Sequence, residues 1–162
     1  MSHDEVLLEK VIKTLRKVKL EAIVVGNVAA ALHGVPVMTQ DIDLFVRDTV
    51  LSREKIKKFA EDLGLSLYRR DEAISEVITA ENPEIVVDFL FRLSPSQKFE
   101  SIRSRAKRIK IGRHYCLVAD LEDILKSKKS ADRLKDRAVL KLIEDTLKVK
   151  KHISSRYKNN NK

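Results

Sequence analysis

Apolar residues recur at helical spacing near the start of the chain, at Leu8, Val11, Ile12, Leu15 and Val18. Steps of three and four residues are typical of an amphipathic helix, which we predict over residues 4–19. A continuous apolar run then predicts a strand over residues 21–26, because a strand that is covered on both faces has no polar side. Gly26 and Gly34 enclose an alanine-rich stretch that predicts a short helix.

Two later segments have clear patterns, one that marks the start of a helix and one that is typical of a buried strand. Ser52 is predicted to cap a helix that ends at Gly64. The strongest strand pattern covers residues 84–91, where Asp88 interrupts the apolar run that begins at Ile85. The remaining predicted elements are strands over 41–46, 66–68 and 76–79, a short helix within 94–101, a hairpin of 107–111 and 114–118, and helices over 120–129 and 131–151.

This order of elements predicts an α+β fold, with a small mixed β-sheet flanked by helices and followed by C-terminal helices. No repeat or internal linker divides the chain, so residues 1–152 are expected to form one domain. Its core would cover about 20–118 and its C-terminal helices about 120–151. Residues 153–162 are expected to form a flexible basic tail.

Composition adds a bias towards phosphate-rich partners without identifying one. The formal net charge is +9, which favours nucleic acid or nucleotides but also describes a merely well-solvated surface. Charged residues make up 35% of the chain, as in many proteins from hot environments. The single cysteine, Cys116, lies in an apolar run and is expected to be a buried structural thiol. No secretory or membrane-spanning pattern is present, so we expect a cytoplasmic protein without a membrane partner.

Asp41 and Asp43 are the first candidates for chemistry. Side chains alternate along a strand, so both carboxylates are expected to point to one face while Ile42 points into the core. Two adjacent carboxylates repel each other, and a hard divalent cation such as Mg²⁺ or Mn²⁺ relieves this repulsion. Taken alone, the pair could equally be two solvated aspartates on an edge strand.

Two further features lie on either side of this pair in the sequence. Gly26 and Asn27 follow a strand and open a helix, a turn that lets backbone N–H groups approach a phosphate but that also occurs without any ligand. Asp88 lies in an apolar strand, where a carboxylate is costly unless it is paired or bound to a cation. If its strand neighbours that of Asp43, three carboxylates converge and could hold metal ions for phosphoryl transfer. Otherwise Asp88 lies partly exposed near a strand end.

The order of these residues resembles the polymerase-β-like nucleotidyltransferase superfamily. That family has a Gly-Gly or Gly-Ser pair, a short helix, an Asp-x-Asp or Asp-x-Glu pair and a third acid on a later strand. The motif around His33-Gly34 and Thr39-x-Asp41-Ile42-Asp43 is similar to that of the small AbiEii-type proteins, which are related to type IV toxin–antitoxin systems. The resemblance covers about 20–140 and implies a nucleotidyltransferase fold.

The resemblance also implies roles for individual residues. Asp41, Asp43 and Asp88 would be catalytic and would hold Mg²⁺ or Mn²⁺. A second block, with a lysine-bearing helix followed by Arg-x-Lys-Asp, implies basic residues that face a triphosphate. The implied nucleotide-binding residues are Gly26, Asn27, Thr39, Lys126, Lys129, Arg133 and Lys135. Asp136 would orient a basic neighbour or cap the last helix, and His33 is expected to form a structural hydrogen bond.

Two departures from the family pattern affect the functional prediction. Asn27 replaces the second small residue, and Val37 replaces an arginine, which removes one cation. The leading prediction is an enzyme that moves an NMP from an NTP to a hydroxyl on an RNA end, a protein or a small molecule, with release of pyrophosphate. A cognate antitoxin is a possible partner under this resemblance. The alternative is a catalytically weak or inactive regulatory protein that binds nucleotide or RNA.

Overall fold

The computed structural model describes residues 1–161. Six helices and seven strands form this part of the chain. In order they are α1 (His3–Lys17), β1 (Ile23–Val25), α2 (Gly26–Leu32), β2 (Ile42–Phe45), α3 (Val50–Leu63), β3 (Ser66–Asp71), β4 (Glu76–Glu81), β5 (Val86–Leu90), α4 (Phe99–Arg105), β6 (Lys107–Ile111), β7 (His114–Val118), α5 (Leu121–Ala131) and α6 (Leu134–Asn160).

All seven strands join one mixed sheet in the order β3-β4-β5-β2-β1-β7-β6. The central strands β5, β2 and β1 are linked by one parallel pairing, β2 with β5, and one antiparallel pairing, β1 with β2. β7 then joins β1 in parallel, and antiparallel hairpins complete both edges. The predicted α+β class with a mixed sheet and flanking helices is confirmed.

Aromatic contacts show that helices cover both faces of the sheet. Phe59 of α3 packs edge-to-face on Phe89 of β5, with ring centroids 5.3 Å apart. Phe99 of α4 packs on Phe45 of β2 from the other side, also at 5.3 Å. Because side chains alternate along a strand, Phe45 and Asp43 share a face, and the candidate carboxylates therefore lie on the α4 face of the sheet.

Several boundaries differ from the predicted ones. Thr49 caps α3 by accepting a hydrogen bond from the Ser52 N–H, so Ser52 lies in the first turn and is not the cap. The helix predicted to end near residue 151 continues as α6 to Asn160, through the segment that was expected to be a flexible tail. That segment is polar but contains neither glycine nor proline, and polarity alone does not end a helix.

Two smaller expectations concern the membrane and the thiol. Within residues 1–161 the structure has no helix that is both long and apolar enough to cross a membrane. Cys116 is partly buried, and burial raises the pKa of its thiol to about 11. A thiol with so high a pKa is a poor nucleophile, which agrees with a structural role.

Candidate active site

The central strands bring two of the predicted carboxylates together. Asp43 of β2 pairs in register with Asp88 of β5, and on its other side it pairs with Val25 of β1. Neighbouring strands lie about 5 Å apart, and residues in register share a face of the sheet. Asp43 and Asp88, which are 45 positions apart in the chain, are therefore side by side in the fold.

Asp41 completes the acidic group from the residue just before β2. Its side chain is largely exposed, but its partial burial, followed by the charge of Asp88, raises its pKa. The pKa of Asp43 is raised to about 7, first by burial and then by the charges of Asp88 and Asp41. Within residues 1–161 no side chain or backbone group donates a hydrogen bond to Asp41 or Asp43, so their negative charge is not compensated by direct contacts.

Gly26 lets the chain turn directly against Asp43. It has a φ of +67°, and it follows β1 and opens α2. A Cβ at this position would overlap the Asp43 carboxylate. Both the left-handed backbone and the close approach therefore require glycine here.

Asp88 has direct polar partners, unlike the other two carboxylates. The Thr79 hydroxyl donates to Asp88 Oδ1 at 2.6 Å, and Thr79 is fully buried. Arg70 of β3 reaches the same oxygen with Nη2 at 3.3 Å. Asp88 is thus satisfied by a buried hydroxyl and a guanidinium, which explains how a carboxylate is tolerated in an apolar strand.

A cavity of about 540 Å³ opens in front of these carboxylates. Its size falls in the range of small-molecule sites. Of the predicted site residues, it is lined by Gly26, Asn27, Thr39, Asp41, Asp43, Asp88, Arg133 and Lys135. The Asn27 Oδ1 atom is buried without a hydrogen-bond partner among the described residues. A buried polar atom beside a cavity is a natural contact for a ligand group that donates a hydrogen bond.

The part of the cavity wall that comes from residues 128–136 is cationic and is organised by Asp136. Its Oδ1 accepts from Lys128 Nζ at 3.1 Å, and its Oδ2 accepts from Arg133 Nε at 2.7 Å. Lys128 and Asp136 are both almost fully buried, whereas Arg133 is half exposed. Asp136 therefore orients basic neighbours, one of the two roles expected for it, and the two cations lower its pKa against the opposing effect of burial.

The lysines of α5 are arranged differently from the sequence prediction. Lys126 and Lys129 were expected at the triphosphate, but neither lines the cavity, and Lys129 pairs with Glu144 of α6 at 3.4 Å. Lys128 lies in the cavity wall instead. The helical spacing of Leu121, Ile124 and Lys128 indicates this, because it places Lys128 on the buried face of α5.

His33 and Val37, two residues of the predicted motif, make contacts that support the fold. His33 Nε2 donates to the carbonyl of Ala119 at 2.8 Å, which ties the end of α2 to the segment before α5 and confirms the structural hydrogen bond expected for it. Val37 packs against the hydrophobic core, so its position supplies no cation. Arg70, which the sequence did not suggest, brings a cation to the cavity from the edge strand β3.

The chemistry of the carboxylates fits a hard divalent cation. Asp41 and Asp43 offer uncompensated oxygen donors, and Mg²⁺ is commonly held by one or two carboxylates together with substrate phosphates. Among the described residues, however, no three His, Cys, Asp or Glu side chains already converge closely enough to enclose an ion. Asp88 is tied to Thr79 and Arg70, so the free pair is the better candidate for first contact with a metal.

Solved structures share this fold at low sequence identity. The chain is similar to ANT(2″)-Ia in complex with adenylyl-2″-tobramycin, at 16% identity and a TM-score of 0.63, over 96% of this chain and 99% of that one. A solution structure of the antibiotic-resistance factor ANT(2″)-Ia matches at 16% identity and a TM-score of 0.62, over 98% and 95%. A putative nucleotidyltransferase from Thermotoga maritima (TM1012) matches at 20% identity and a TM-score of 0.61, over 100% and 97%.

Sequence comparison gives a match that spans almost the whole chain. The family model described as "Nucleotidyl transferase of unknown function" (DUF2204) matches residues 5–161. No curated protein matches the sequence significantly. The family match covers all three carboxylates and the cationic wall of the cavity.

Proposed function

This chain belongs to the family of nucleotidyl transferases of unknown function (DUF2204), and from that premise we propose that it moves an NMP from an NTP to an acceptor hydroxyl. The observation that carries the proposal is the arrangement of one cavity. Asp41 and Asp43, which have no hydrogen-bond donor, line this cavity together with the cations Lys128, Arg133 and Lys135. A metal–triphosphate carries the charges that complement both groups.

The carboxylates and the cations have separate tasks in this reaction. Asp41 and Asp43 would hold a divalent cation, which Asp88 beside Asp43 could also bind, and this cation would supply charge neutralisation at the phosphates. Arg133 and Lys135 contact the triphosphate, while Asp136 keeps Lys128 and Arg133 in place. Such positioning and neutralisation account for most of the catalysis in phosphoryl transfer.

The bond changes follow from the substrate. The acceptor oxygen forms a bond to the α-phosphorus, the bond from that phosphorus to the bridging oxygen breaks, and pyrophosphate leaves. The proton of the acceptor hydroxyl passes to a carboxylate, for which Asp88 is the candidate because it lies beside Asp43. Asn27 offers an amide oxygen without a partner, which suits a nucleotide hydroxyl.

RNA is the acceptor class that the surface favours. Arg103 and Arg105 form ion pairs with Glu21 and Asp123 and therefore support the fold. On the edge strand β6, Lys107, Arg108 and Lys110 form no ion pair within residues 1–161. Arg108 also stacks on the half-exposed Tyr115 at 3.8 Å. Unpaired cations beside an exposed aromatic ring suit a single-stranded nucleic acid.

Other acceptors and roles are distinguished by experiment. The complex of ANT(2″)-Ia contains adenylyl-2″-tobramycin, so a small hydroxylated molecule is an alternative acceptor. A protein hydroxyl is another. The absence of a cation at Val37 supports the alternative of a weak or inactive regulatory protein. The AbiEii-type resemblance and a cognate antitoxin stay predictions.

The proposed reaction is tested by transfer of label. We expect the purified protein with Mg²⁺ or Mn²⁺ and the four α-³²P-labelled NTPs to label an acceptor in a cell extract and to release unlabelled pyrophosphate. Separate digestion of the products with ribonuclease and with protease identifies the acceptor class. Binding of NTP without any labelled product would support the regulatory alternative, and no NTP binding in either metal would overturn the proposal.

The RNA acceptor is tested with the edge strand β6 in the same preparation. Binding of a fluorescent single-stranded RNA should weaken as salt rises. The double variant Arg108→Ala/Lys110→Ala should reduce the slope of log affinity against log salt by about 1.4, at about 0.7 for each phosphate that is no longer neutralised. An unchanged slope would exclude this strand from RNA binding.

Lysines of the C-terminal helices provide a third prediction. Lys135 lines the cavity, has no ion-pair partner among the described residues and lies close enough to Asp41 to act on its pKa. Lys135→Ala should weaken metal–NTP binding about 10-fold or more, since hydrogen bonds to charged groups contribute about 1.5–3 kcal/mol. Lys126→Ala, which lies outside the cavity, is the matched control. Calorimetric titration measures both, and equal losses of affinity would contradict this arrangement.

A further inference from the structure

Arg70 reaches the acidic group from a distant strand. It lies on the edge strand β3, where it pairs with Val77 of β4, and Val77 pairs in turn with Leu90 of β5. Its side chain crosses β4 and reaches Asp88, with Nη2 3.3 Å from Oδ1. Its Nη1 atom lies 3.3 Å from Oε1 of Glu72 on the same side. The guanidinium of Arg70 therefore contacts Asp88, the third carboxylate of the cavity.

The contacts of Arg70 are long for a charged pair. Charge-assisted N–H to carboxylate bonds usually measure about 2.7–2.9 Å. The Arg133–Asp136 contact in the same cavity measures 2.7 Å, but both contacts of Arg70 measure 3.3 Å. Its side chain is 43% exposed and every residue of β3 is exposed, whereas the side chain of Asp88 is only 11% exposed. Arg70 therefore has water available as an alternative partner, but Asp88 can release it at low cost only when another cation takes its place.

Arg70 also acts on Asp41, one of the two carboxylates that accept no hydrogen bond. Burial and Asp88 raise the pKa of Asp41, and the positive charge of Arg70 is the leading effect that opposes this rise. Arg70 and a divalent cation would therefore stabilise the same group of negative charges. Two cations at one carboxylate repel each other, so an ion that binds Asp88 displaces the guanidinium.

The cavity has few other cations that are able to move. Asp136 holds both Lys128 and Arg133, and Val37 brings none, so among the described lining residues Lys135 is the other cation that is not held by an ion pair. A guanidinium is well suited to phosphate oxygens because its planar donors bind two of them together. Once displaced from Asp88, Arg70 faces the cavity in which the triphosphate is proposed to bind.

We propose that Arg70 is a mobile counter-ion of this site, which neutralises Asp88 before nucleotide binds and turns to the phosphates when a divalent cation takes Asp88. This inference rests on the proposed nucleotidyl transfer. Arg70 acts on Asp88 as a positioning residue in the first state and contacts the substrate in the second. The two states predict opposite effects of removing it.

The test measures binding in each state separately. Electron paramagnetic resonance measures Mn²⁺ binding to the free protein, and calorimetry measures binding of Mn²⁺ with the α,β-methylene analogue of each of the four NTPs. Arg70→Ala should bind Mn²⁺ alone about 2–5-fold more tightly, because a weak competitor is removed. It should bind the Mn²⁺–analogue complex about 10-fold more weakly, because the phosphates then have one charged donor fewer. Arg70→Lys should lie between these values.

Arg69 supplies the matched control. It is the neighbouring arginine of the same edge strand, its side chain points to the opposite face, and its Nε contacts Glu76 at 3.0 Å. Arg69→Ala should behave like wild type in both measurements, and thermal unfolding confirms that every variant is folded. A merely structural role for Arg70 would weaken both kinds of binding together and would overturn the inference.

Failure of the inference differs from failure of the proposed function. If wild type binds the Mn²⁺–analogue complex but Arg70→Ala behaves like Arg69→Ala, the counter-ion role is wrong and the proposed transfer stands. If wild type binds no analogue with Mn²⁺, the proposed function is wrong and the counter-ion role is overturned with it.

Discussion

Replacing Asp43 with asparagine should abolish metal-dependent nucleotide binding while the protein stays at least as stable as wild type. Asp43 lies between Gly26 and Asp88 at the base of the cavity, and no donor compensates its charge within the described residues. Loss of an outer-shell partner of a metal ligand already costs about 10–100-fold in affinity, so loss of the ligand itself should cost at least about 100-fold.

The stability of this variant distinguishes a functional role from a structural one. Burial and two neighbouring acids raise the pKa of Asp43 to about 7, so its ionised form is unfavourable in the folded protein. At pH 8, where wild-type Asp43 is ionised, Asp43→Asn should leave the free energy of unfolding unchanged or raise it by about 1 kcal/mol. Urea unfolding measures this quantity, and calorimetry with Mn²⁺ and NTP measures binding.

Asp145→Asn is the control for the charge change. Asp145 is an exposed acid of α6, and the substitution alters net charge by the same amount. It should keep both nucleotide affinity and stability. An Asp43→Asn protein that binds metal–NTP within about 2-fold of wild type would show that Asp43 does not hold the metal, and an unfolded one would show that Asp43 has a structural role.

Single residues of this site were predictable from the sequence, but their grouping was not. Period-two alternation and the apolar strands were enough to identify Asp41, Asp43 and Asp88 as candidates. That Asp43 and Asp88 are adjacent depends on the parallel pairing of β2 with β5, which joins segments 45 positions apart. Local pattern contains no information about which strands become neighbours.

Arg70 illustrates the same limit more strongly. Its own segment has the pattern of a polar, exposed strand, and nothing near it in sequence indicates a partner. It reaches Asp88 because two antiparallel hairpin pairings place β3 beyond β4 and β5 at one edge of the sheet. By contrast, Lys128 could have been predicted from the sequence, since it follows Leu121 and Ile124 on the buried stripe of α5.

Helix limits were predictable where a residue type ends the helix. Gly64 ends α3 in the left-handed conformation, as its glycine signal predicts. The end of α6 has no such signal, and the helix runs on to Asn160 through polar residues. Composition therefore predicted solvent exposure there correctly but not the persistence of helical structure.

Gly26→Ala should both destabilise the protein and abolish nucleotide binding, and Gly64→Ala should only destabilise it. The two glycines have nearly the same backbone, with φ of +67° and +64°. An alanine in this left-handed region costs roughly 1–2 kcal/mol at either position. At Gly26 the new Cβ also overlaps the Asp43 carboxylate, whereas at Gly64 it meets nothing within 4 Å.

The difference between these variants isolates the contact with Asp43. Overpacking against a fixed group costs about 1–3 kcal/mol more. The overlap between the new Cβ and the Asp43 carboxylate is removed only if Asp43 or the start of α2 moves away from the cavity. We therefore expect a larger loss of stability in urea unfolding for Gly26→Ala and no detectable metal–NTP binding, with wild-type affinity in Gly64→Ala. Equal losses of stability with retained binding in both would mean that the approach of Gly26 to Asp43 is not what shapes the site.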